Sequence, residues 1–318
     1  VLNDFKGDNI IRGTVTFEGV PMPFVEIYVQ AADGGFSTGG EGYIGITDEN
    51  GEFETLGLKD GLYNIGIGID GSSLANKVLK GSSHQYVDLN GKDGEIEFEF
   101  RNILQVNLPE PGQKLEENEF TVSWDEVQGA AYYTVEPVVF FEPFKKAGGS
   151  FRSSVKDKNG EGRFVNTSAT FNIEMLKNQP GGLSFDGEEM LLEPNAILGI
   201  FLPGAEYPIV VNAYDENNKL ITSSLPLRTY YDKLPSIIGS GELSEGEKMI
   251  LRKDYPAAIE YYEGYLKENP NDIDSLIYLT RIYGMGWKKD EKNIKRAYDL
   301  GMRYGDITGD RKILFRCF

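Results

Sequence analysis

The stretch FTVSWDEVQGAAYYT, residues 120–134, decides how the chain is read. Phe120, Val122 and Trp124 fall on one face of a strand, and Thr121, Ser123 and Asp125 on the other. Gln128-Gly129 interrupts the run, with Gly129 free to take a positive φ. Tyr132, Tyr133 and Val135 then open a second strand. A tryptophan on one strand and aromatics on the next suit the core of a β-sandwich, because each ring buries a large apolar area. Further on, Tyr207, Ile209, Val211 and Ala213 alternate up to a turn at Asp215–Asn218, and Lys219–Ser223 resumes the strand.

These two runs, SWDEVQGAAYYTV and YPIVVNAYDENNKLITSS, resemble a fibronectin type III-like sandwich. The resemblance extends over about half of residues 102–231. The stretch from about Phe140 to Leu202 departs from that pattern and is too long for one ordinary module.

Composition supports a modular, β-rich chain. Its 318 residues suffice for two or three domains, and 38 glycines with 18 tyrosines and 18 phenylalanines favour tight turns between strands. A single cysteine, Cys317, excludes an internal disulfide, and no apolar run is long enough to span a bilayer. The chain opens without Met and without a signal-like apolar segment, so any export signal is expected to lie outside it. Residues 240–318 hold 14 basic and 14 acidic side chains, so the whole net charge of −18 sits in residues 1–239. An acidic β-rich half argues against nucleic acid or an anionic membrane as partner. The charge also keeps sheet edges apart.

Upstream, Ile10–Phe17 reads as a strand and Gly19–Pro23 as a turn. Val25, Ile27 and Val29 alternate on the next strand, Ala31–Gly42 reads as a loop, and Asp48-Glu49-Asn50-Gly51 is a hairpin signal. Leu62–Ile69, Tyr86–Leu89 and Ile96–Phe100 supply further strands. IRGTVTFEGVPMPFVEIYV followed by TDENGEFETLGLKDGLYNIGI resembles the carboxypeptidase regulatory-like family, a small transthyretin-like sandwich, over residues 8–101. That resemblance implies an accessory module without catalytic residues.

Downstream, Leu234-Pro235 and Gly239-Ser240-Gly241 read as a linker, after which the apolar period becomes helical. Ser244 and Glu247 form a capping-box pattern. Asp254 precedes Pro256 at a helix start, and Asn269–Asp272 ends one helix and caps the next. DYPAAIEYYEGYLKENPNDIDSLIYLTRIYG resembles a tetratricopeptide repeat junction, with Ala258, Tyr262 and Pro270 at the family's positions. Leu276, Leu279 and Tyr283 match the first helix of a second copy, in which Gly284–Lys289 is longer than usual and Ala297 restores the small packing residue. Two repeats seldom stand alone, so this arm is expected to lean on the β part, on another chain or on further helices. Ile313, Leu314, Phe315 and Phe318 are expected as its apolar cap.

The expected architecture is therefore multidomain β plus α. It comprises a carboxypeptidase regulatory-like sandwich (8–101), a fibronectin type III-like sandwich with a long insertion (102–232) and tetratricopeptide-like helices (241–318). The expected function is non-enzymatic: an adhesion or scaffold protein of the bacterial envelope or exterior, docking a protein partner through the helices. The tetratricopeptide resemblance implies a groove, placed at Tyr278 and Arg281 with Tyr255 and Trp287 beside it. The alternative is glycan or cell-wall binding by the sandwiches, with Tyr133 and Phe144 as stacking residues. A glycan-processing enzyme using carboxylates such as Glu188-Glu189 is the third reading.

No cofactor is expected. Asp48, Asn50 and Glu52, and Asp88, Asn90 and Asp93, offer oxygens that calcium accepts, but both depart from the twelve-residue loop and read as hairpin turns. One His and one Cys cannot make a zinc site. His84 has no serine elbow to serve and reads as a surface-loop residue. Gly34–Gly45 lacks the Lys-Ser/Thr of a phosphate loop.

Overall fold

The computed structural model describes residues 7–32, 42–68, 74, 76–82, 84–116, 118–144, 147–177, 185–186, 191–226, 234–288 and 291–311. The apolar end at Ile313–Phe318, Cys317 and the Glu188-Glu189 pair lie outside these residues. So does most of the glycine-rich loop before Gly42.

The N-terminal part contains nine strands: β1 Ile11–Phe17, β2 Val20–Pro21, β3 Glu26–Ala31, β4 Gly42–Ile46, β5 Glu52–Glu54, β6 Gly61–Ile67, β7 Lys77–Leu79, β8 His84–Leu89 and β9 Gly94–Asn102. They form two sheets, β2-β1-β9-β7 with β5 beside β1, and β4-β3-β6-β8. Alternation decides the faces. Ile11, Val15, Phe98 and Phe100 point inward from one sheet, Ile27, Val29 and Ile65 from the other, and all are at most 1 % exposed. β1 and β9 pair in parallel, Ile11 opposite Gly94 through Phe17 opposite Phe100. Gly51 has φ +71°, and a Cβ there would stand 2.6 Å from the Val15 carbonyl oxygen, so only glycine closes that turn.

The middle part begins with β10 Val106–Leu108, β11 Gln113–Lys114, β12 Glu119–Trp124, β13 Tyr132–Glu142, β14 Ala147–Arg152 and β15 Ser168–Asn172. It continues through α1 Ile173–Lys177, β16 Phe185–Asp186, β17 Leu191–Leu192, α2 Pro194–Leu198, β18 Glu206–Tyr214, β19 Leu220–Ser223 and β20 Ser236–Ile238. A three-stranded sheet, β10-β12-β15, faces a larger one, β11-β20-β18-β13-β14, with β19 on β18. Phe120, Val122 and Trp124 are buried as the alternation predicts, and Trp124 packs against Tyr133 at 5.3 Å between ring centroids.

One expectation is overturned here. The presumed linker near Leu234 is a strand: Ser236, Ile237 and Ile238 pair with Pro208, Tyr207 and Glu206 of β18, and Ile237 is fully buried. Three residues between a proline and a glycine carry too little period to be seen as a strand. The middle sheet therefore reaches beyond residue 232 to Ile238.

Four helices follow: α3 Glu245–Leu251, α4 Tyr255–Glu268, α5 Ile273–Met285 and α6 Ile294–Thr308. The Ser244–Glu247 capping box is formed in both directions, and Asp254, Asp272 and Asn293 each accept a backbone N–H at a helix start. A Cβ on Gly246 would stand 2.4 Å from the Tyr262 ring, so glycine lets α3 close on α4. The helices have no core of their own. Leu266, Leu276, Leu279, Ile282 and Tyr304 belong to the same apolar cluster as Val122, Trp124 and Ile209, whereas the N-terminal sandwich has a separate one.

Candidate binding face

The helical residues expected to line a groove are turned inward. Arg281 is 1 % exposed, and its Nη1 donates to the Ile197 carbonyl at 2.6 Å. Tyr255 is fully buried, with its hydroxyl donating to the Leu192 carbonyl. The Trp287 carbonyl accepts from Leu192 N at 2.9 Å, and the Trp287 ring lies 6.2 Å from that of Tyr255. Lys253 Nζ reaches Glu193 at 3.1 Å. Tyr255, Arg281 and Trp287 thus converge on this chain's own segment, β17 and α2. Tyr278 is also buried, and donates its hydroxyl to Glu247 at 2.9 Å. Burial and the neighbouring Glu247 hold the Tyr278 phenol well above its usual pKa, so it stays protonated as that donor. Three of the four residues expected at the groove thus contact Leu192 or Ile197, or stand beside a residue that does, and the fourth, Tyr278, bonds to α3.

Tyr133 and Phe144 do not come together either. Tyr133 is 3 % exposed, its hydroxyl accepting from Val127 N at 2.9 Å, while Phe144 is 49 % exposed. Tyr132 stacks on Tyr214 at 5.1 Å with Arg163 over its ring.

The acidic turns have internal partners. Asp48 Oδ1 accepts from the backbone of Asn50 and Glu52. Asp157 repeats this with Asn159 and Glu161, and Asp215 with Asn217 and Lys219. Asp93 accepts from Ile10 N and from Arg12. Asp48, Asp157 and Asp215 each serve backbone N–H groups inside their own turns, whereas Asp93 ties its turn to the start of β1. No cluster of three or more His, Cys, Asp or Glu able to hold a metal occurs among the described residues.

What the molecule does present is the outer face of β4-β3-β6-β8. Register places Ile44, Tyr28, Gly66 and His84 in one row across the four strands, and Gly42, Gln30, Asn64 and Tyr86 in the next. Ile46 and Leu62 lie in the flanking rows, beside Glu26 and Asp88. Tyr28, Ile44, Ile46, Leu62 and Tyr86 are 42–58 % exposed. The β-period fixes this: the same strands that send Ile27, Val29 and Ile65 inward must send Tyr28 and Asn64 outward. Gly66 carries no side chain, which leaves a trough of about 430 Å³ between Tyr28, Gln30, Ile44, Asn64 and His84. In its floor the Asn64 Oδ1 atom is buried and unpartnered. His84 therefore stands at the start of a strand, not in a loop.

The opposite outer face has the other character. Glu52, Glu54, Glu95 and Glu97 surround Arg12 in an open depression of about 600 Å³, and Arg12 is tied to Glu54 at 2.9 Å and to Asp93 at 3.0 Å. Sequence reading missed the apolar face. Its signal was Tyr28 and Tyr86 alternating out of phase with the core residues, but alignment of two separate strands depends on a register that only the fold sets.

No family model matches the chain, and no curated protein matches it. Among solved structures, a DUF3823 family protein from Parabacteroides merdae matches at 13 % identity, over 65 % of this chain and 90 % of that one, with a TM-score of 0.23. The full-length major pilin of Corynebacterium diphtheriae matches at 11 % identity over 69 % and 64 %, with a TM-score of 0.28. The major pilin subunit of Bacillus cereus matches at 10 % identity over 73 % and 69 %, with a TM-score of 0.26. Scores this low carry no information on what the chain binds.

Proposed function

We propose that this chain is a non-catalytic binding protein of the bacterial envelope or exterior. The N-terminal sandwich is its binding head. The middle sandwich and the helices form one supporting body, in which tetratricopeptide-like packing braces the insertion and turns Tyr255, Arg281 and Trp287 onto β17 and α2. The observation that carries this reading is the opposed character of the head's two outer faces. One displays Tyr28, Ile44, Leu62 and Tyr86, the other a field of glutamates, with Ile46 at the rim of the glutamate depression. Large apolar side chains left open on one face, interleaved with polar ones, support a face that meets a partner on a chain otherwise carrying a net charge of −18.

The test uses the full chain and insoluble matrices: Gram-negative envelopes, Gram-positive envelopes and plant cell-wall material. The wild type is expected to sediment with at least one of them. A Tyr28→Ser/Tyr86→Ser variant with an unchanged circular dichroism spectrum is expected to stay in solution. Equal sedimentation of both proteins, or none with any matrix, overturns the proposal.

A further inference from the structure

We infer that the joint between the two sandwiches is a stiff coupling, in which the head docks against the free edge of β19 and is held in one orientation to the body. This coupling holds whatever the head's outer face meets. Units of one chain ordinarily move relative to each other unless their contact is large and apolar. Here three features remove that freedom.

The link is short and anchored at both ends. β9 ends at Asn102, and Leu104 is already 4 % exposed within the core of the body. Only Ile103 lies between them. The Asn102 carbonyl accepts from Thr222 Oγ1 at 2.5 Å, and Leu104 N donates to the Ser223 carbonyl at 2.9 Å. On the head side, the Glu18 carboxylate accepts from Asn102 N at 2.9 Å and from Arg101 Nη1 at 2.8 Å, which fixes the end of β9. One residue between two anchored ones leaves no slack.

A second attachment lies far from the link in sequence. Gly81 N, just beyond β7, donates to the Leu220 carbonyl at 2.9 Å. β19 pairs with β18 along one edge. The carbonyls of Leu220 and Ser223 serve Gly81 and Leu104 instead. Gly81 has φ +80°, and a Cβ there would stand 2.9 Å from Lys219 Cε, so the approach is close. A single tether would let the head rotate about the link. A tether at Gly81 as well as at Asn102 stops that rotation.

Val78 is sealed on the wrong side of its sheet. Register sets Leu79 opposite Phe100 and Val78 opposite Arg101. Leu79 and Phe100 point into the head's core, so Val78 points away from it. Val78 is nevertheless 4 % exposed, and it belongs to neither main core. β7 and β9 lie against β19 here, where Thr222 is 5 % exposed. Water stays off this outer-face valine only while the body covers it.

Residual dipolar couplings of the backbone N–H groups, measured on the full chain in one alignment medium, read the joint directly. Fitted separately over residues 11–100 and 106–304, they are expected to return one alignment tensor, equal in magnitude and in axes. A lower degree of order for the head than for the body would overturn the stiff joint. Equal magnitudes with rotated axes would overturn the docking on β19. Val78→Asp puts a charge into the seal and is expected to abolish the common tensor, while each unit's couplings still fit its own coordinates. Thr222→Val keeps the shape, removes the donor to Asn102 and is expected to lower the head's order less; it decides the matter should the aspartate unfold the head. Unchanged order in both variants would overturn the part given to β19.

Discussion

The N-terminal sandwich and the helical arm spend the same kind of residue in opposite ways. Residues 241–318 hold eight tyrosines and residues 8–101 hold four. In the arm, Tyr255, Tyr262 and Tyr278 are at most 7 % exposed, and their hydroxyls are tied to Leu192, Ser244 and Glu247. In the head, Tyr28 and Tyr86 stand on an open sheet. The head closes its own core and so has a face to spare. The arm cannot bury its apolar stripe alone, and uses α2 and β17 to do so. A family's binding position is available only if the chain has nothing of its own to put there.

Three substitutions or conditions test that contrast, from the largest expected effect to the smallest. Phe98→Ala empties a position 1 % exposed in the head and should cost about 4 kcal/mol. Hydrogen exchange should show the loss confined to residues 11–100. A uniform loss through Tyr304 would mean that the two cores unfold together. Next, Arg281→Met removes the donor to the Ile197 carbonyl and should cost about 3 kcal/mol. Because α5 shares its core with β12, helical ellipticity and Trp124 fluorescence, read in a Trp287→Phe background, should fall in one urea transition. Two separate transitions would show the arm to be an independent unit.

The smallest effect is pH-dependent. A side-chain hydrogen bond and ion pair from Arg296, with a further donor in Tyr283, holds the Glu263 carboxyl below its ordinary value of 4.5. A lowered folded-state pKa stabilises above the unfolded value, and that contribution is lost as the pH falls through the folded one. For this partly exposed pair it amounts to at most about 1 kcal/mol. Glu263→Gln should flatten the stability profile of the helical body below pH 4.5, with no change in the head.

Much of the local structure was legible in the residues. Phe120, Val122 and Trp124 announced their strand by period, and Ser244 and Glu247 their helix start by capping chemistry. Long-range pairing was not. Nothing in Ser236-Ile237-Ile238 tells that it will lie beside Tyr207, and nothing in Leu191-Leu192 that it will thread between Tyr255 and Trp287. Register is a property of two strands at once, so the meeting of Tyr28, Asn64 and Tyr86 on one face could not be read from either strand. Burial was the other blind spot. Tyr278 and Tyr28 are the same residue type, each with a periodic pattern, and only the tertiary neighbours decide which one meets water.

The parallel pairing of β1 with β9, and of β11 with β20, has a consequence for biogenesis. In each sandwich an early strand waits for a late one. On the ribosome, the first strand lacks its main neighbour until Gly94–Asn102 has emerged, so the head is completed in one late step. The body waits longer, because Ile237 must arrive before the sheet closes and α5 before the insertion is held. A nascent chain arrested shortly after residue 150 would therefore carry a finished head on an unfinished body.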